Sequence, residues 1–109
     1  MNGTMIILKV DGTLAEHHYA GAVPLEDLQK AVGGYIEAVP FWQKWMHKGV
    51  TLDVVVFCNE EGKLNNLPVN IRATEAWHAE QSRTGYIVVD VLCGDVAILH
   101  GDAAFMATI

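Results

Sequence analysis

Residues 51–74 read TLDVVVFCNEEGKLNNLPVNIRAT, and the succession of states inside this stretch decides the fold class. Residues 51–58 are dominated by valine, threonine and phenylalanine, the composition of a half-buried strand. Glu60-Glu61-Gly62-Lys63 has the chemistry of a tight turn, and Asn65-Asn66 and Pro68 punctuate the loop beyond it. From about Ile71 to Gln81 the chain takes on helical patterning, with Asn70 placed to accept the first free N–H groups of the helix. A strand, a polar crossing and a helix, each of ordinary length, call for a sheet with a helix laid on it.

Working toward the N-terminus, Tyr35 to Pro40 alternates and predicts a strand that pairs antiparallel with 51–58. Between them lies Phe41-Trp42-Gln43-Lys44-Trp45-Met46-His47-Lys48-Gly49. Two readings stand for this aromatic cluster: a connecting segment that packs on the core, or an exposed patch in which Phe41, Trp42 and Trp45 meet a protein partner. Residues 24–32 predict a helix. Pro24 stands where a missing N–H costs nothing, Leu25, Leu28 and Val32 recur at helical spacing, and Gly33-Gly34 closes it. Residues 5–10 and 13–20 predict a hairpin about Asp11-Gly12. Its adjacent His17 and His18 then face opposite ways, which makes them poor partners for one metal ion. Toward the C-terminus, 86–89 and 96–99 predict two further strands, with Phe105 and Met106 docking the tail.

The predicted order is β-β-α-β-β-α-β-β over one domain, residues 1–109. This is an α+β fold, an antiparallel or mixed sheet with two helices packed on one face.

Composition narrows the function. The 109 residues are 51% hydrophobic and carry a net charge of −6. The seven Lys and Arg residues are scattered, so the basic stripe that phosphate backbones require is missing and direct nucleic-acid binding is not expected. No apolar run approaches the roughly 20 residues of a membrane span. The N-terminus shows no basic region and no cleavage site, and the cytoplasm is the expected compartment. Cys58 and Cys93 are then expected as buried free thiols.

Motifs of catalysis and metal binding are sparse. Gly33-Gly34 precedes a strand, the reverse of a phosphate-cradling loop. Glu75 and His78 have the i, i+3 spacing of carboxylate-bridged metal sites, but only one copy occurs, and no metal or cofactor is expected. The single serine, Ser82, falls near a helix end. One residue invites a ligand: Arg72 sits at a helix start, where a cation opposes the dipole unless an anion answers it. Either Glu60, Glu61 or other internal hydrogen bonds satisfy it, or Arg72 joins Asn70, Lys63, Gly34 and a stacking Tyr35 around a small anion or nucleotide.

Three segments carry a family resemblance: Leu28 to Glu37; Asn59 to Leu64 with Leu67-Pro68 and Asn70 to Thr74; and Cys93 to Leu99. With them the chain resembles the domain-of-unknown-function family numbered 3846, small proteins of phages, plasmids and the bacteria that carry them. Residues 41–49 stand as an insertion against the usual pattern. The resemblance implies no activity. By analogy with small acidic phage proteins it implies a non-catalytic accessory that binds and blocks a host protein, in the setting of anti-defence. The alternative is a binder that sequesters a small anionic ligand; a small enzyme using Glu60, Glu61 or a histidine is third. Exposed strand edges are compatible with a homodimer.

Overall fold

The computed structural model describes residues 1–85 and 89–109. The elements run β1 Gly3–Leu8, β2 Leu14–Tyr19, α1 Leu25–Val32, β3 Ile36–Ala38, β4 Lys44–His47, β5 Val50–Asp53, β6 Val55–Asn59, α2 Ile71–Thr84, β7 Val96–Gly101 and α3 Ala103–Met106. Five strands form one antiparallel sheet in the order β2-β1-β7-β6-β3, and β4 and β5 form a separate ribbon. The fold class is α+β, as the patterning predicts.

Local chemistry accounts for most of these elements. The β1–β2 turn closes with Lys9 N–H donating to the Thr13 carbonyl at 2.9 Å, while Gly12 takes the positive φ of 85° that the turn demands. Helix α1 starts after Pro24 and ends at Gly33 in the left-handed conformation. Helix α2 starts at Asn70, whose side chain accepts the Ala73 N–H at 3.0 Å. Strand β3 pairs with β6 in the expected antiparallel sense, Glu37 opposite Cys58.

Four features depart from the sequence reading. First, the aromatic segment and the start of the 51–58 run form the β4–β5 ribbon. Lys48 and Gly49, with φ of 51° and 76°, supply the paired positive angles of a two-residue hairpin turn, and Val54 separates β5 from β6. Second, the helices lie on opposite faces of the sheet. In β7, Val96 and Ile98 join Trp42, Trp45, Trp77 and Ala73 beneath α2 and the ribbon. Ala97 and Leu99 join Leu28, Val32 and Phe105 beneath α1 and α3. An unbroken apolar run at a central strand means burial on both sides. Third, a short helix α3 follows β7, capped by the Asp102 carboxylate on Phe105 N–H at 2.9 Å. Its Phe105 ring is fully buried over Gly3 and Gly101, which face each other across β1 and β7; a Cβ on Gly3 would fall 2.2 Å from that ring. Fourth, Val89 lies outside any strand, and the rest of the strand expected at 86–89 lies outside the described residues.

One buried group of α2 stays unpaired. Gln81 is 1% exposed, and neither its amide nitrogen nor its oxygen has a hydrogen-bond partner among the described residues. A buried amide in that state costs about 1–3 kcal/mol. Gln81→Met, of similar shape and without the amide, is expected to raise the unfolding free energy by about 1–2 kcal/mol. The urea midpoint measures this, and an unchanged or lower midpoint contradicts it.

Candidate functional site

The cleft with the most chemistry on its walls opens at the β3–β6 end of the sheet, on the face that carries α2. Its floor is the Glu37–Cys58 pair and the neighbouring Ala38 and Val39. One wall is the loop of Glu60, Gly62, Lys63 and Leu64; the other is Trp77 of α2 with Asp90 to Cys93. The space between them is about 460 Å³, the size range of small-molecule and peptide pockets.

The walls are held by hydrogen bonds that begin in the sequence opened above. Segment 90–94 is laced to the start of α2: the Asn70 N–H donates to the Leu92 carbonyl at 2.8 Å, and the Leu92 N–H donates to Thr74 Oγ1 at 3.0 Å. Gly94 N–H donates to the Pro68 carbonyl at 2.7 Å, and Val69 and Cys93 form a bridge. Trp77 Nε1 donates to the Pro40 carbonyl at 2.7 Å, which ties the helix to the corner after β3. On the opposite wall, Asn59 turns the chain. Its Nδ2 donates to the Val32 carbonyl at 3.1 Å and its Oδ1 accepts from Glu61 N–H at 2.8 Å. Across the mouth, Lys63 Nζ and Asp90 Oδ1 form an ion pair, and the Asp90 carbonyl meets His78 Nε2 at 2.6 Å.

The electrostatics of the cleft are acidic. Glu37, Glu60 and Asp90 face one cation, Lys63, which is engaged by Asp90. The Lys63 hydrogen bond, followed by the Val91 N–H, holds the Asp90 carboxyl below its ordinary range. Burial, with help from the Glu37 charge, pushes the Cys58 thiol up to about 11. A thiol in that state is a poor nucleophile at neutral pH. Cys58 and Cys93 both line the cleft, and both are free.

The residues proposed from sequence for an anion do not share one site. Gly34, Tyr35 and Lys63 cluster around Asn59 and Glu60. Tyr35 accepts the Glu60 N–H through its carbonyl at 2.9 Å, and its ring is exposed; a Cβ on Gly34 would press on Asn59 Nδ2 at 2.8 Å. Asn70 is at 0% exposure, and all of its amide is spent. Besides capping α2, its Nδ2 donates to the Leu8 carbonyl at 2.9 Å and the Gly94 carbonyl at 3.0 Å. Arg72 is engaged at the β1–β2 turn, donating from Nη1 to the Gly12 carbonyl at 2.8 Å. Its compensation at the helix start is an internal hydrogen bond, one of the two readings the sequence left open.

Of the aromatic residues, Trp42 and Trp45 are 2% and 8% exposed and belong to the core under α2. Only Phe41 of the three is on the surface, at a positive φ of 61°. The packing reading describes the two indoles. The sequence reading missed Glu37, Trp77 and Asp90 as cleft residues. The one available signal was that Glu37 and Cys58 fall opposite each other once 35–40 is paired with 51–58. Among the described residues no cluster of three His, Cys, Asp or Glu side chains could hold a metal ion, and no helix is long and apolar enough to cross a membrane.

Two measurements check this account. Asn70→Ala removes a cap and strands the Leu8 and Gly94 carbonyls, and is expected to cost about 3–5 kcal/mol in denaturant unfolding; a loss near 1 kcal/mol would mean that the three bonds do not act together. Cys58 is expected to resist iodoacetamide at pH 8, its thiolate being only about one part in a thousand there, with alkylation rising steeply toward pH 11. Rapid labelling of Cys58 at pH 8 would contradict its burial beside Glu37.

No curated protein and no solved structure matches the chain. A family profile described as a domain of unknown function, DUF3846, matches residues 4–107, nearly the whole chain and all of the cleft, so the chain belongs to that family.

Proposed function

We propose that the protein is a non-catalytic accessory of a phage or other mobile element that binds a host protein and blocks it, in the service of anti-defence, and that the acidic cleft is its binding face. One observation carries the reading: a cleft of about 460 Å³ whose carboxylate and ammonium lining is three carboxylates against one lysine already paired within it. Such a lining repels an anion and attracts a basic segment. The apolar parts suit a peptide as well. Pro40, Val91 and Leu92 line the walls, and Leu64 stands 78% exposed on the rim, offering contact area beside the charges. The anion-sequestering alternative finds less support, because Arg72 is bonded to the Gly12 carbonyl and Lys63 to Asp90.

The test is site-directed. A photo-crosslinking residue in place of Leu64 is expected to trap a discrete host protein in cells, at a contact segment rich in Lys or Arg. Glu37→Lys combined with Glu60→Lys is expected to weaken binding of that protein at least tenfold, and to flatten its salt dependence, while the melting temperature stays within a few degrees. Trapping that survives both charge reversals undiminished, or a contact segment rich in acids, overturns the assignment of the cleft.

A further inference from the structure

We propose that strand β2 pairs with β2 of a second copy of this chain, joining two five-stranded sheets into one antiparallel sheet of ten strands about a twofold axis. Among the described residues, strand β2 is the long free edge of the main sheet: six residues with β1 as their one neighbour. The opposite edge, β3, has three residues and is followed closely by Pro40. Strand β2, Leu14-Ala15-Glu16-His17-His18-Tyr19, carries no proline and no lysine, the common devices that keep an edge from pairing.

The direction of its backbone groups follows from the turn. Lys9 N–H donates to Thr13 carbonyl, so Lys9 and Thr13 form a pair of the hydrogen-bonded kind. Pairs alternate along an antiparallel ladder. With Ile7 opposite Ala15 and Met5 opposite His17, the N–H and C=O of Ala15, His17 and Tyr19 therefore point to β1, and those of Leu14, Glu16 and His18 point outward. Three evenly spaced donor–acceptor sites are presented to an incoming strand.

The side chains select the partner and the register. A pairing that keeps both cores on their own faces must centre on a residue of the strand rather than between two. The centres that overlap the whole of β2 are Glu16 and His17. Centring on Glu16 sets two carboxylates directly opposite each other. Centring on His17 sets the two His17 rings opposite each other, without the two full carboxylate charges of the other register, and sets Glu16 opposite His18 of the second copy, twice, and Ala15 opposite Tyr19, twice. A carboxylate opposite a ring nitrogen that can donate a hydrogen bond favours pairing, and like charges directly opposite each other oppose it. Glu16 and His18 are both exposed in the single chain. His18 uses Nδ1 on Thr4 Oγ1 at 3.1 Å, which leaves Nε2 for the second copy. Glu16 lies 3.3 Å from His47 Nε2 and 3.8 Å from Lys48 Nζ; the His47 hydrogen bond, followed by the Lys48 charge, holds its carboxyl below the usual range. The strand is thus complementary to itself.

The experiment is analytical ultracentrifugation and native mass spectrometry of the full chain across a concentration series. A monomer–dimer equilibrium is expected, with slower hydrogen exchange at the amides of Leu14, Glu16 and His18 as dimer forms. His18→Pro deletes one outward N–H and leaves the β1–β2 ladder whole, since edge strands tolerate proline on their free side; it is expected to raise the dissociation constant at least tenfold with little change in melting temperature. Should that variant fold poorly, His18→Glu places carboxylates opposite Glu16 and is expected to give monomer, and Glu16→Lys with His18→Glu is expected to restore dimer through exchanged charges. A wild type that stays monomeric at every concentration, or a dimer untouched by His18→Pro and His18→Glu, overturns the proposal.

Discussion

The buried side-chain amide of Asn70 is the point on which the rest of the architecture turns. It caps α2, holds the end of β1 through the Leu8 carbonyl and holds the approach to β7 through the Gly94 carbonyl. Its backbone N–H closes the same knot on Leu92. A buried amide is costly unless every donor and acceptor is answered, so these bonds fix one position of α2 over the sheet and disfavour neighbouring ones. Apolar packing alone, by Trp42, Trp45, Trp77 and Ala73, would tolerate small slides of the helix.

The cleft is a consequence of that placement. With the start of α2 pinned over β1 and β7, Trp77 reaches the Pro40 corner, but the β3–β6 end of the sheet remains partly uncovered. Cys58 and Glu37 then sit on a floor that the core does not fill. The loop from Glu60 to Leu64 and the segment from Asp90 to Cys93 border it as separate lips, joined at the mouth by Lys63 and Asp90. Burial raises the Cys58 thiol, and Glu37, Glu60 and Asp90 are exposed around it.

Much of the fold was legible because local chemistry agreed with it: Asp11-Gly12 at the first turn, Pro24 and Gly33 around α1, the alternation of 35–40 and the cap at Asn70. The β4–β5 ribbon was obscured because its turn is Lys48-Gly49 rather than an asparagine–glycine pair, and because Trp42 and Trp45 resemble surface anchors when their burial is unknown. The opposite placement of the helices was written in Val96-Ala97-Ile98-Leu99, whose unbroken apolar run belongs to a strand covered on both sides. Helix α3, at four residues, is too short to leave a periodic signature. The cleft was only half legible: Lys63, Gly34 and Tyr35 were found in its neighbourhood, but Arg72 was bound to a carbonyl of a distant turn, a pairing that no spacing rule anticipates.

Strand β7 lies in the middle of the sheet, between β1 from the start of the chain and β6 from its centre. During synthesis the β1–β2 hairpin and the β3–β6 pair can each form early, yet neither can join the other until residues 96–101 have emerged. The two halves of the sheet therefore meet only through β7. The long-range pairing of β7 with β1 closes a loop of some ninety residues, so the loop-closure entropy of the sheet is concentrated in that one strand.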